Sequence, residues 1–306
     1  MTKPAVPGKM KITDLTPAAR AAVEQKAVTG GWDGKSLGKL LSELDRWDQM
    51  AEVRKAHAQK IFMTGAIGCV VGFFLFFVVA FMVEAPLVAL GLAAIPVAIL
   101  ITGIRMKRAA RAIDLPNELR ISLRPMIRQL SQDLHPDERI KVTLNLAGID
   151  EKKANAAKDL PPGRNRSLKQ NQYDEDICLL RIPLLDGSEA VLHLSNTYFK
   201  LVRSYTTSRG KYKSKTKWKK LTSVTAMLVP PVRISWEPAS MQQHIDRRTE
   251  RLSFVEKNGV MVARLDRYYK FKAANEPPAD AAPAADILKM FVRLTAMRPR
   301  AAGGLQ

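Results

Sequence analysis

Cysteine and histidine are scarce in this chain, with two Cys and four His in 306 residues. Two cysteines cannot build the disulfide framework of a small secreted domain. The same shortage argues against a Cys/His structural zinc module. His57, His135, His193 and His244 are scattered, with no i,i+4 pair and no Cys-x-x-Cys run, so no metal and no cofactor are expected. Acidic residues are also few, 29 Asp+Glu against 49 Lys+Arg, which leaves a formal net charge of +20. Wholesale disorder does not fit, because 46% of the residues are hydrophobic.

A longer absence is that of charge. Between Ile61 and Ile104 the single charged residue is Glu84. A helix needs about 20 apolar residues to cross a hydrocarbon core. The runs 61–83 and 86–104 each meet that length, and the tight Val83-Glu84-Ala85-Pro86 link between them reads as the turn of a two-helix transmembrane hairpin. The first run starts too far from the N-terminus to be a signal peptide. Arg46, Arg54, Lys55 and Lys60 precede it, and Arg105, Lys107, Arg108 and Arg111 follow the second. This flanking charge places both termini in the cytoplasm, of a bacterial inner membrane by composition. The latter four residues are expected to contact lipid. Gly65, Gly68 and Gly72 offer small surfaces for helix packing, and Pro96 is expected to kink the second helix. No ionisable residue lies at mid-membrane, which argues against a pump or proton channel.

The remaining chain predicts an α+β protein. Residues 1–60 read as a helical N-terminal region, with a helix from Thr16-Pro17 to about Val28, a Gly30-Gly31-Gly34 break, and a second helix capped by Ser36. Leu37, Leu40, Leu41, Leu44, Trp47 and Ala51 share a face of that helix, for packing within the chain or for pairing chains as a homo-oligomer. Residues 105–138 form a basic juxtamembrane segment, helical over about 117–134, which Pro125 bends or splits. Residues 139–272 alternate with period two and predict an antiparallel β domain of about seven strands, sandwich- or barrel-like. Asp186-Gly187 and Asn258-Gly259 are strong hairpin pairs. Residues 148–176 read as a long polar loop, 238–251 as ambiguous, 273–285 as an Ala/Pro linker, and 286–298 as a C-terminal helix docked on the domain or lying on the membrane.

One false lead is removed by spacing. Gly34-Lys35-Ser36 resembles the end of a phosphate-binding loop, but that loop needs glycine at position 29, which is Thr29.

The densest chemical signal is the window Lys200–Lys220, with nine Lys/Arg and no acid. Within it Lys211, Lys213, Lys215, Lys217 and Lys219 alternate with Tyr212, Ser214, Thr216 and Trp218. On a strand these lysines project from one face at about 6.8 Å intervals. Lys200, Arg203, Arg209 and Lys220 extend the set. It reads as a surface for an anionic partner. Lipid headgroups or an acidic protein come first, and nucleic acid is a lesser alternative, because Tyr212 and Trp218 face away from the lysines. The bland reading is a solvated or edge strand that lysines protect from sheet pairing.

Catalysis finds little support. A two-residue Asp186-Gly187 turn would set Cys178 diagonally from His193 on one face, the minimum for a thiolate pair, but no third orienting residue or oxyanion site accompanies it. Asp174, Glu175 and Asp176 read as a solvated acidic loop. The expectation is a non-enzymatic, membrane-anchored scaffold or interaction module whose partners are membrane lipids and another protein or complex. The alternatives are an enzyme or enzyme regulator acting at the membrane, and a membrane-tethered nucleic-acid binder.

Overall fold

The structure is a computed structural model. It describes residues 11–82, 86–112, 114–130, 134, 138–149, 153–161, 167–185, 187–231, 249–257, 260–274 and 276–296. The chain divides into two compact units, 1–20 with 42–115, and 21–41 with 116–306.

Helix α1 (Pro17–Gln25) starts at its proline, with the Thr16 hydroxyl accepting the Ala19 N–H at 3.4 Å. The glycine-bearing stretch that follows is not a break. It forms strand β1 (Ala27–Asp33), paired antiparallel with β2 (Arg139–Asn145) over all seven residues. Lys26, at φ 52°, makes the abrupt change from helix to strand. Helix α2 (Gly34–Met82) then runs without interruption for 49 residues. Its N-cap is Asp33 rather than the expected Ser36, and Asp33 Oδ1 accepts the Ser36 N–H at 2.8 Å. The Leu37, Leu40, Leu41, Leu44, Trp47 and Ala51 stripe is buried within the chain.

In the helical unit α2 is followed by α3 (Pro86–Ala112). The two helices pass each other at three glycines. A Cβ on Gly65 would lie 2.7 Å from the Leu100 backbone, one on Gly68 2.9 Å from Pro96, and one on Gly103 2.8 Å from the Phe62 backbone. The partner numbers fall along α3 as they rise along α2, so the pair is antiparallel. Only glycine permits so close an approach. Lys55 pairs with Asp114 at 2.5 Å, and Asp48 accepts the Leu115 N–H at 3.0 Å. The apolar part of α2 is long enough to cross a membrane, and only 11% of its most apolar window is buried within the chain.

The second unit is an eight-stranded antiparallel sheet in the order β1-β2-β4-β5-β6-β8-β7, with β3 on β4 beside β2's place. The strands are β3 (Ala156–Leu160), β4 (Ser167–Pro183), β5 (Glu189–Thr206), β6 (Tyr212–Val229), β7 (Glu250–Lys257) and β8 (Val260–Ala274). Among the described residues they form one open sheet with β1 and β7 at its edges, instead of the expected sandwich or barrel. The expected 148–176 loop holds β3 and half of β4. Strong cross-strand pairing with β5 carries this polar stretch into the sheet, and Tyr173 is buried there. The expected strand 232–236 and most of the ambiguous 238–251 segment lie outside the described residues.

Even-numbered residues of β5 and β6 turn to the inner face, including Leu192, Leu194, Tyr198, Trp218, Val224 and Leu228, all buried. Helix α5 (Ala284–Ala296) packs on β6 and β8 there, beside a π-helical turn (Leu119–Leu123) and α4 (Arg124–Leu130). The π turn, closed by the Arg124 N–H bonding to the Leu119 carbonyl, directly precedes Pro125. A proline within the first turn of a helix leaves no backbone donor unmet. The expected Ala/Pro linker is a packed strap: Ala281 and Ala282 are buried, and the Ala282 carbonyl accepts from Ser122 at 2.5 Å.

Candidate functional site

The basic ribbon lies on the outer face of the sheet. Lys213, Lys215, Lys217 and Lys219 of β6 are exposed, as is Lys211 just before it. The preceding turn is set by Gly210 at φ 73°, whose N–H donates to the Thr207 carbonyl. Arg209 is exposed in that turn.

The cross-strand register adds to this face residues that the linear reading left out. Lys219 stands opposite Lys272 of β8, and Leu221 opposite Lys270. Both β8 lysines are exposed. Lys215 stands opposite Arg203 of β5, and Lys213 opposite Tyr205. Arg203 and Lys215 both lie over the Tyr205 ring, at 5.3 and 5.9 Å from its centroid. Residues opposite one another share a face, so the ribbon is a patch spread over three strands. The alternation Tyr269-Lys270-Phe271-Lys272 in the sequence was the available signal for β8.

Two of the expected residues belong elsewhere. Lys200 is opposite Trp218 and so points to the inner side, with its Nζ 5.0 Å from the Trp218 ring centroid. Lys220 is a clear correction. It is 2% exposed and ion-paired with Glu118, because even positions of β6 turn inward. It cannot belong to an exposed anion-binding surface.

Lys220 instead anchors a buried polar cluster. Its Nζ donates to Glu118 Oε1 and, at 2.7 Å, to the Asp280 carbonyl of the strap. Asn196 donates to Glu118 Oε1 at 2.8 Å, and Thr222 donates to Asn196 Oδ1 at 2.7 Å. The Lys220 ammonium also lies over the Tyr198 and Phe271 rings. Glu175, opposite Asn196, adds a second carboxyl. Burial, and then the negative charge of Glu118, push the Glu175 carboxyl up to about 7. Burial raises the Tyr198 hydroxyl as well. Glu175 is therefore no part of a solvated acidic loop. Asp174 and Asp176 are exposed on the outer face, where Asp174 accepts from Thr197 at 2.8 Å.

Comparison with protein-family models, with curated proteins and with solved structures gives no match.

The Cys178–His193 pairing does not form. The β4–β5 connection has Leu184 and Ser188 hydrogen-bonded across it, with Gly187 at φ 78°, one residue longer than a two-residue turn. A further irregularity lies between Asp176 and Cys178. The register is Cys178 to Leu194 and Leu179 to His193, so the thiol faces inward and the imidazole outward. His193 meets Asp176 at 3.2 Å instead. Burial raises the Cys178 thiol far above its ordinary range, the reverse of nucleophile activation. No group of three or more potential metal ligands occurs among the described residues.

In the helical unit, Gly65 and Gly68 lie against α3, and Gly72 is buried. Arg105 and Arg108 are exposed on α3. Lys107 donates to Gln59 at 3.3 Å, and the side chain of Arg111 lies outside the described residues.

Proposed function

We propose that the chain is a non-enzymatic membrane-anchored interaction module. On this reading α2 and α3 form a transmembrane hairpin, and the sheet unit presents its basic outer face to an anionic surface on the cytoplasmic side. The observation that carries it is the outward exposure of the apolar helices. Ile67, Val70, Phe73 and Phe74 on α2 are 60–67% exposed, and Leu90 and Ile95 on α3 are 59–63% exposed. A core helix of a soluble protein buries such residues, whereas a spanning helix turns them to lipid. The flanking basic residues support a topology with both termini in the cytoplasm and Glu84 on the opposite side.

The outer face supports the interaction role. Among the described residues, Lys213, Lys217, Lys219, Lys270 and Lys272 have no ion-pair partner. The membrane assignment is tested by alkaline carbonate extraction of native membranes. The full chain stays in the pellet, and its release to the supernatant would refute the anchor. The face is tested by salt elution of detergent-solubilised chain from a polyanionic resin. Lys215→Gln/Lys217→Gln/Lys219→Gln elutes at lower salt, and unchanged elution would remove the face from the proposal.

A further inference from the structure

The outer face carries a regular array of exposed cations. Lysines can guard a sheet edge against unwanted pairing. That explanation fails for Lys217 and Lys219, which lie where β6 is hydrogen-bonded to β5 on one side and β8 on the other. The face also sets like charges directly opposite each other, Lys219 against Lys272 and Lys215 against Arg203. Such pairs destabilise a sheet unless counter-charge offsets the repulsion. The sheet itself supplies none to the lysines of the first pair: neither is ion-paired among the described residues.

We propose that this face docks on the headgroup layer of an anionic bilayer, and that Lys270 and Lys272 of β8 belong to the contact with Lys213, Lys215, Lys217 and Lys219. The inference rests on the anionic-surface reading above and names its partner. Three features select lipid. First, the cations form a grid, repeating about every 6.8 Å along β6 and continuing onto strands about 4.8 Å away. A grid matches a plane of phosphates better than the single line of a nucleic-acid strand. Second, much of the aromatic surface that base stacking would need is already engaged. Tyr205 lies beneath Arg203 and Lys215, and Trp218 is buried with Lys200 over its ring. Among the described residues Tyr268, 45% exposed, is the one well-exposed aromatic ring on this face; Tyr212, 61% exposed, has the inward parity of β6. Third, a membrane anchor in the same chain keeps the headgroup layer at high effective concentration, so lysine contacts need not overcome the cost of encounter.

The test uses the full chain in nanodiscs, one set of neutral phosphatidylcholine and one with a third of phosphatidylglycerol. Lysines are acetylated with a water-soluble amine reagent and read by peptide mass spectrometry. Lys289, exposed on α5 at the opposite side of the sheet, is the internal control. In anionic discs Lys213, Lys215, Lys217, Lys219, Lys270 and Lys272 label about five-fold more slowly than in neutral discs, and high salt removes the difference. Lys270→Gln/Lys272→Gln, whose thermal midpoint serves as the folding check, loses part of the protection at Lys217 and Lys219. Equal labelling in both discs overturns lipid docking. A parallel arm adds a single-stranded oligonucleotide or polyglutamate to neutral discs. Protection there, without protection by anionic discs, refutes the lipid assignment and leaves an anionic-contact face. Protection in neither arm refutes both.

Discussion

Lys220 donates to Glu118 inside the sheet unit, and Lys219, its neighbour in the chain, is exposed on the opposite face. One step along β6 therefore separates two kinds of lysine. Lys219 belongs to the exposed basic patch. Lys220 ties together three segments distant in sequence: the turn that opens at Glu118, the strand, and the strap at Asp280.

Removing the Lys220 ammonium leaves the buried Glu118 charge without its cation. Lys220→Met is expected to destabilise the unit by about 3–5 kcal/mol. The double variant Glu118→Gln/Lys220→Met loses less than the single one, because no uncompensated charge remains. Unfolding of the full chain in detergent, followed by tryptophan fluorescence, reads this directly, since Trp218 lies in the same core. Equal losses in both variants would show that the ion pair is not the cause.

Glu175 predicts a pH dependence of the less usual sign. Its carboxyl is raised from 4.5 to about 7 in the folded chain, so the folded state holds a proton that the unfolded state has released. Stability is then highest below pH 4.5 and declines as pH rises to about 7, by roughly 3 kcal/mol in all. Glu175→Gln flattens this component and is more stable than the parent at pH 8. A parent whose stability rises over the same window, after subtraction of the Glu175→Gln profile, would contradict the assignment.

The glycines of α2 and α3 divide by their surroundings. Gly65→Ala puts a methyl group 2.7 Å from the Leu100 backbone and is expected to cost about 1–3 kcal/mol. Gly91→Ala meets nothing within 4 Å, and gains about 0.5–1 kcal/mol of helix propensity. Thermal midpoints of the two variants in one detergent move in opposite directions.

Cys178 is expected to be inert. In a Cys69→Ser background the native chain reacts with iodoacetamide far more slowly than the denatured chain at pH 8, because the remaining thiol is buried and held in its neutral form. Fast native labelling would reopen the catalytic reading.

Much of the architecture was legible in the sequence, for identifiable reasons. The helices of the apolar region, the strand Arg139–Asn145 and the β7–β8 hairpin carry strong periodicity or turn chemistry. Strand β1 was hidden because Thr29-Gly30-Gly31 has neither β-branched enrichment nor alternation, and it is held by its pairing with β2. The first half of β4 was hidden because Gln170, Asn171 and Gln172 are polar on both faces. In the basic patch, β6 gave the lysines but not their neighbours, since Arg203 and Lys272 join through register. The charge of Lys220 suggests an outward side chain, but the alternation it shares with Trp218 and Thr222 turns it inward. The one-residue difference in the β4–β5 turn had a similar effect, carrying His193 to the face opposite Cys178.

The two-faced character of β6 also limits how this chain can change in length. A single residue inserted just after Trp218 would exchange the two faces on one side of that point. If the shift ran toward the turn, the buried Trp218 would face outward and Lys217 inward; if it ran the other way, the buried Lys220, Thr222 and Val224 would face outward and Lys219 inward. Insertions and deletions are therefore tolerable in the turn at 207–211, and damaging a few residues later. The lysine spacing and the fit of the interior are fixed by the same count of residues.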